Sequence, residues 1–492
     1  MIINMSIHEL RVTTGFVCAL LTLGLLTQAC ASGSDDVEAV TATSSADNST
    51  ETDLYASLPS GSYQGEEFNI LNNTSNFAYT SMDFEEQTGD VLDDAIYART
   101  RAVEERLDVD ILVSDQAWDA NLSAIRAQIM SGDDVYDICF NEVKQLVLGF
   151  EPGMFVDVNT IDEINLDMPW WNRPAIDSIN IGQTIYYLFG DLHLMLYECY
   201  SPIVYNRSLA AELGIEDLYD TVIAGDWTLD LMHECMTAST ADLNGDTRVD
   251  AEDRFGISIH SHIIPSFFTA GDAFLVTMDG DNMPQYDGIS DRFLSIYEKL
   301  SSGMLSDKSS VFSTSTSGSG SLGNSDESMY NIFLVGRAMF YVDPLGSIKR
   351  MRDADFEVGI LPLPKFDESQ EEYLSHLHGF ASAMIIPSTN ADLELTGTVL
   401  ENLCAESYRT VKPVYFDKTL DFKYAKDERS TEMLDIIFEN GNFDIGVTYG
   451  WGGLSDAIVS AVQAGNSNLM SAVASLESKF IDEMNEAIEA YK

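Results

Sequence analysis

The chain has 492 residues, 26 basic and 80 acidic, for a formal charge of 26 − 80 = −54. So much negative charge repels phosphate backbones and anionic headgroups, which excludes nucleic acid as a partner and suits an exposed, soluble surface that tolerates divalent cations. At 45% hydrophobic and 10% aromatic the chain is not a disordered one, and its length suits two or three domains.

Arg11 precedes an apolar run from Val12 to Leu26, followed by Thr27-Gln28-Ala29-Cys30 and a polar tract. The run is too short to span a bilayer and the small Ala29 precedes a cleavage point, so residues 1–29 read as a secretion signal. A cysteine at the new N-terminus, ahead of a polar spacer, resembles the lipobox of bacterial lipoproteins, with Thr27 and Gln28 in place of the usual Leu and Ala or Ser. That resemblance implies acylation of Cys30 with palmitate-type chains and stable anchoring to the outer face of a membrane. Residues 30–62, mostly Ser, Thr, Asp and Glu, read as a flexible tether.

Order is expected from the strand Glu67–Leu71. Val91, Ala95, Ile96, Arg99, Val103 and Leu107 then recur at helical spacing. A strand at Asp110–Val113, a helix at Asn121–Met130 and a strand at Val135–Phe140 complete a βαβαβ order, which predicts a parallel sheet. Ligands of such sheets collect beyond the carboxyl ends of the strands, here the loops holding Asn73 and Asn141-Glu142. Further helices open at Asp226-Trp227-Thr228, with Leu229, Met232, Cys235 and Met236 on one face, and at Ala472, with Val473, Leu476, Phe480, Met484 and Ile488. The Ser/Gly run from Ser313 to Ser325 reads as a surface loop. Its Gly318-x-Gly320-x-x-Gly323 follows no strand, so it is not a dinucleotide fingerprint. Cys139, Cys199, Cys235 and Cys404 are scattered singly, which argues against zinc ribbons and redox motifs and leaves a disulfide open. Small buried hydrophobes is the reading for Cys139 and Cys404.

The sharpest local motif is a twelve-residue loop from Asp242 to Asp253. Asp242, Asn244, Asp246, Asp250 and Asp253 stand at positions 1, 3, 5, 9 and 12, with the Arg248 carbonyl at position 7, the ligand pattern of an EF-hand. Thr247 replaces the usual Gly and Asp253 the usual Glu. A single structural Ca2+ clamp is expected, because strand-like sequence follows it. A second constellation pairs aromatic with polar residues in loops: Trp170-Trp171-Asn172, Tyr205-Asn206, Tyr341 with Asp343, and Trp451 among glycines. Flat rings stack on sugar faces while amides and carboxylates fix hydroxyls, so these are candidate saccharide contacts. Hydrolase motifs are missing, and the seven histidines form no pair at metal-ligand spacing. A carboxylate pair remains open among 80 acids.

The succession Asp93–Arg99 with Val103–Leu107, then Pro169–Asn172, Val204–Arg207, Leu213-Gly214 and Gly225–Thr228, then Gly336–Phe340 and Val358–Lys365, resembles the extracellular solute-binding proteins of bacterial ABC importers. It is most similar to their oligosaccharide-binding, maltose-type branch, some large members of which carry an EF-hand-like loop. The resemblance implies an α/β, two-lobe, periplasmic-binding-protein-like (type II) clamshell, each lobe a mainly parallel sheet flanked by helices. The first lobe would comprise residues 63–201 plus 377–412, and the second 202–376 plus 413–492. It implies contacts from Asn141, Glu142, Tyr205, Asn206 and Trp451, and a lipid-anchored, monomeric receptor that delivers a saccharide to the permease subunits of an ABC transporter without covalent chemistry. A secreted carbohydrate-active hydrolase and a ligand-presenting sensor are the alternatives.

Overall fold

A computed structural model describes residues 55–75, 78–313, 326–348, 351, 353–420, 428–466 and 468–492. The signal segment 1–29, Cys30 and nearly all of the Ser/Gly run lie outside the described residues.

Strand β1 (Glu66–Thr74) pairs in parallel with β2 (Val109–Ala117) along its whole length, from Glu66 opposite Val109 to Thr74 opposite Ala117. It also pairs in parallel with β3 (Ile138–Glu142), Ile70 opposite Ile138. Helix α1 (Val91–Leu107) makes the first crossover. It starts where the Asp90 carboxylate accepts from the Leu92 and Asp93 amides and stops where Asp108 turns left-handed at φ 52°. Its apolar positions Leu92, Ile96, Val103 and Leu107 are buried, as their spacing demands. Helix α2 (Trp118–Ser131) makes the second crossover, and α3 (Val143–Leu148) follows β3 directly. The third strand begins at Ile138 rather than Val135; just before it, the Asp137 amide donates to the Asn69 carbonyl (2.8 Å) and its carboxylate, in place of its carbonyl, accepts the Asn69 amide (2.6 Å).

The chain then builds a second sheet from β4 (Ile203–Asn206), β5 (Phe255–Ile259), β6 (Val311–Ser313), β7 (Ala338–Val342) and β8 (Val358–Leu361), in the order β8-β4-β7-β5-β6. This sheet is mixed: β5 is parallel to β6 and β7, while β4 is antiparallel to β7 and β8. Strand β9 (Ser382–Ile385) returns to the first sheet, antiparallel to β3, in the order β9-β3-β1-β2. The connection between sheets is therefore made more than once.

Three further helices build the core around the sheets. Thr228 caps α4 (Leu229–Ser239), which buries Leu229, Met232, Cys235 and Met236. Helix α5 (Leu393–Glu406) is buried on nearly every side, and α6 (Leu469–Ala490) buries Leu469, Val473, Phe480 and Met484. The expected tether ends sooner than residue 62. Tyr55 stacks on Trp170 with centroids 6.2 Å apart, and the Asn402 amide donates to the Pro59 carbonyl at 2.9 Å, so the chain is packed from Tyr55 onward. An aromatic ring and backbone carbonyls with partners supply what Ser/Thr-rich composition concealed. Cys139, Cys199, Cys235 and Cys404 are buried free thiols. Among the described residues no helix is long and apolar enough to cross a membrane.

Candidate ligand-binding cleft

Parallel strands deliver their next residues to one end of a sheet, and here two sheets do so into the same space. A cavity of about 630 Å³ is lined by Thr74 and Ser75 after β1, Ala117 and Trp118 after β2, Glu142 at the end of β3, His260 and His262 after β5, and Asp343 and Pro344 after β7. Lys144, Gln145, Tyr341 and Phe380 complete its polar and aromatic wall. An adjoining chamber of about 230 Å³ shares Lys144, His262 and Phe380 with it and continues past His376, His378, Ser455 and Asp456. The main cavity exceeds another of about 440 Å³ beside Phe443, and falls within the range of small-molecule sites.

Its electrostatics follow from burial. Removing Glu142 from water raises its carboxyl to about 7, against the opposing pull of Lys144, so near neutrality it both donates and accepts. Asp343 accepts the Tyr341 hydroxyl at 2.7 Å, and His262 Nε2 stands 3.9 Å from its other oxygen. The imidazoles crowd one another: His260 and His262 share a contact between their Nδ1 atoms, and the rings of His262 and His378 lie 5.2 Å apart. Burial foremost, then mutual repulsion, lowers His262 to about 2 and His378 well below the ordinary histidine value, so both are neutral.

Of the residues expected to touch ligand, Glu142, Tyr341 and Asp343 line the cavity. Asn73 and Asn141 are fully buried one position behind its floor, where Asn73 accepts from Ser382 and Asn141 from the Glu142 amide. Alternation along a strand turns these side chains away from the face that Thr74 and Glu142 present. The others are structural. Trp170 and Trp171 are core residues whose indole N–H groups both donate to Glu401 on α5, each at 3.0 Å. Asn172 and Asn206 are helix caps, accepting from the Ala175 and Leu209 amides. Tyr205 is buried edge-on to Tyr219. Trp451, expected to stand open among glycines, is 4% exposed. Gly452 has φ 64°, and an added Cβ there would lie 2.8 Å from the Phe480 backbone nitrogen. The glycines thus let the turn close onto α6 and bury the indole.

The aromatic that does reach the cavity is Trp118, 41% exposed at the first position of α2. It escapes the sequence pattern, which ends this strand at Val113, whereas β2 runs on to Ala117 and delivers Trp118 to the cleft. The histidine cluster carried little signal. His260 and His262 meet His378 only through the tertiary fold.

No known family profile and no curated protein matches this sequence. Solved structures do match its fold. One is the ABC substrate-binding protein from Listeria monocytogenes in complex with cycloalternan, at 14% identity and TM-score 0.53, covering 86% of this chain and 99% of that one. Another is the extracellular solute-binding protein from Staphylococcus aureus in complex with maltose, at 12% identity and TM-score 0.56, covering 85% and 98%. A third is UspC from M. tuberculosis, at 14% identity and TM-score 0.57, covering 86% and 100%. Identities this low define the fold alone. The chain is an α/β protein with the two-lobe periplasmic-binding-protein-like architecture.

Proposed function

We propose that this chain is an extracytoplasmic receptor that captures a carbohydrate, an oligosaccharide by the size of its cleft, and passes it as a monomer to the permease subunits of an ABC importer. The observation that carries the reading is the cavity where strand ends of two sheets meet, with Trp118 and Phe380 as ring faces and Glu142, Gln145 and Asp343 as hydrogen-bonding groups. Rings and amides or carboxylates together suit a sugar, with its apolar face and hydroxyl edge. The cycloalternan and maltose held by two proteins of the same fold support this choice. Taking 63–201 with 377–412 as one lobe and 202–376 with 413–492 as the other, a ligand touching both favours the closed state through its extra contacts. No covalent step is assigned to the site. A thermal-shift screen of oligosaccharides, with released reducing ends assayed in parallel, tests this: a saccharide raises the melting temperature and is not cleaved. Stabilisation by no saccharide, or turnover, rejects it.

We also assign Ca2+ to the 242–253 loop. Asp253 is 5% exposed, and its Oδ1 is a buried acceptor with no hydrogen-bond partner, an arrangement that a cation would satisfy. Thr247 takes φ 63° where such loops place glycine, so the turn forms despite the substitution. Among the described residues no group of three His, Cys, Asp or Glu side chains is already gathered around one point. Calcium would therefore draw in Asp242, Asp246, Asp250 and Asp253, with Asn244 and the Arg248 carbonyl completing the shell. Calcium at 100 times its Kd is expected to add about 2.7 kcal/mol of stability. Melting curves in calcium and in chelator measure it, and identical curves reject the assignment.

The membrane anchor is assigned to acylated Cys30, behind a signal at 1–29. Cys30→Ser is expected to release the receptor from membranes with ligand binding intact. A mutant that stays in the membrane fraction would transfer the anchor to the apolar segment.

A further inference from the structure

The 242–253 loop lies between α4 and β5, and its two ends are pinned together: the Ala241 amide donates to the Arg254 carbonyl at 3.0 Å, and the Arg254 amide to the Ala241 carbonyl at 2.9 Å. Asp253 is thereby fixed just ahead of Phe255, the first residue of β5. A second tie reaches β7. The Arg337 guanidinium donates to the Ala251 carbonyl inside the loop, while the Arg337 carbonyl accepts from the Phe255 amide at 2.9 Å, and Ala338 then opens β7. The loop thus sits at the amino ends of two parallel strands. At their carboxyl ends the cavity takes His260 and His262 from one, and Tyr341 and Asp343 from the other.

Both strands are buried at every position, and they pair with each other from Phe255 opposite Ala338 to Ile259 opposite Val342. A strand of this length spans about 17 Å. Packed on both faces it moves as a unit, because a close-packed interior transmits displacement rather than absorbing it. The group that sets it in motion is Asp253. Residues 242–249 are exposed, whereas Asp253 is 5% exposed; its Oδ2 accepts from the Asp250 amide at 3.0 Å, and its Oδ1 has no hydrogen-bond partner. Without a cation that carboxylate gains by turning toward water, which draws on Arg254 and the start of β5. A bound cation removes the gain and holds Asp253 inward.

We propose that calcium in the 242–253 loop raises the affinity of the cleft for its saccharide, through β5 directly and through Arg337 to β7. This rests on the calcium and saccharide readings and adds the coupling between them. Asp253 supplies the two positions that coupling needs: inward, with the strand ends set for ligand, and outward, with those ends released. A ligand that bridges the carboxyl ends of both strands favours the inward position, and it therefore tightens calcium by the same factor.

Calorimetric titration of the full chain with maltotriose, cellotriose, xylotriose and raffinose, each in calcium and in chelator, tests this, with amide hydrogen exchange followed under the same two conditions. At least one saccharide is expected to bind about 5-fold or more tighter in calcium, the low end of coupling between distant sites. Calcium should also slow exchange beyond the loop, at His260–Ile263 and at Tyr341–Asp343. Arg337→Met should still bind calcium, and should lose the protection at Tyr341–Asp343 while keeping that at His260–Ile263. A saccharide that binds equally in both conditions, or protection confined to residues 242–254, overturns the coupling and leaves the saccharide reading standing. If no saccharide binds in either condition, that reading falls and the proposal with it. If Ca2+ alone gives neither heat of binding nor protection, the calcium assignment falls and the proposal with it.

Discussion

Trp451→Ala is expected to cost about 3–5 kcal/mol of stability, the range for truncating a packed aromatic. The indole leans on Tyr449 at 4.8 Å and meets Phe480 edge-on at 5.8 Å, so its removal opens a cavity where α6 joins the rest of the chain. That junction is tied further. The Tyr491 hydroxyl meets those of Tyr449 at 2.8 Å and Tyr187 at 2.7 Å, and its ring stacks on Phe150 at 4.3 Å. A rigid junction of this kind relaxes poorly around a void, which places the loss toward the upper part of the range. Urea denaturation followed by far-ultraviolet circular dichroism reads it as a lower midpoint at unchanged slope. A midpoint equal to wild type would show that the indole is not core.

Trp118→Ala is expected to do the opposite, losing on the order of 1–3 kcal/mol of saccharide affinity, as a stacking anchor does. Its stability should hardly move, because the ring is 41% exposed and the first helical position tolerates alanine well. The enclosing walls make the contact valuable. Trp118 shares the cavity with Tyr341, Asp343 and Phe380, so a sugar laid on it is held among other walls as well. Titration calorimetry on the folded variant measures the loss. A stability loss without an affinity loss would make Trp118 a packing residue.

The first sheet was legible because its pattern is local. Strand and helix alternate from β1 to β3, and the apolar positions of α1 keep one face. Positions at strand ends follow from the same logic, which is why Glu142 falls in the cleft. The aromatic contacts were not legible in this way. Trp170 and Trp171 look like a sugar platform until Glu401, more than two hundred residues away, takes both indole protons. For Trp451 the flanking glycines pointed toward openness, whereas their positive φ angles draw α6 close. Spacing cannot separate the two cases, since burial is decided by which distant element arrives. The histidine cluster fails for the same reason: His260-x-His262 and His376-x-His378 are unremarkable until the fold brings the His262 ring edge-on to that of His378.

The claim that the strand-end cavity holds the ligand is tested most directly by titrating one stabilising saccharide into wild type, Trp118→Ala and Trp451→Ala side by side, with each variant's folded fraction fixed by its denaturation curve. The expected result is one site per chain, with affinity weakened most in Trp118→Ala, and stability lost most in Trp451→Ala. Undiminished affinity in Trp118→Ala, with binding abolished in folded Trp451→Ala, would contradict it and move the ligand to the far side of the glycine turn.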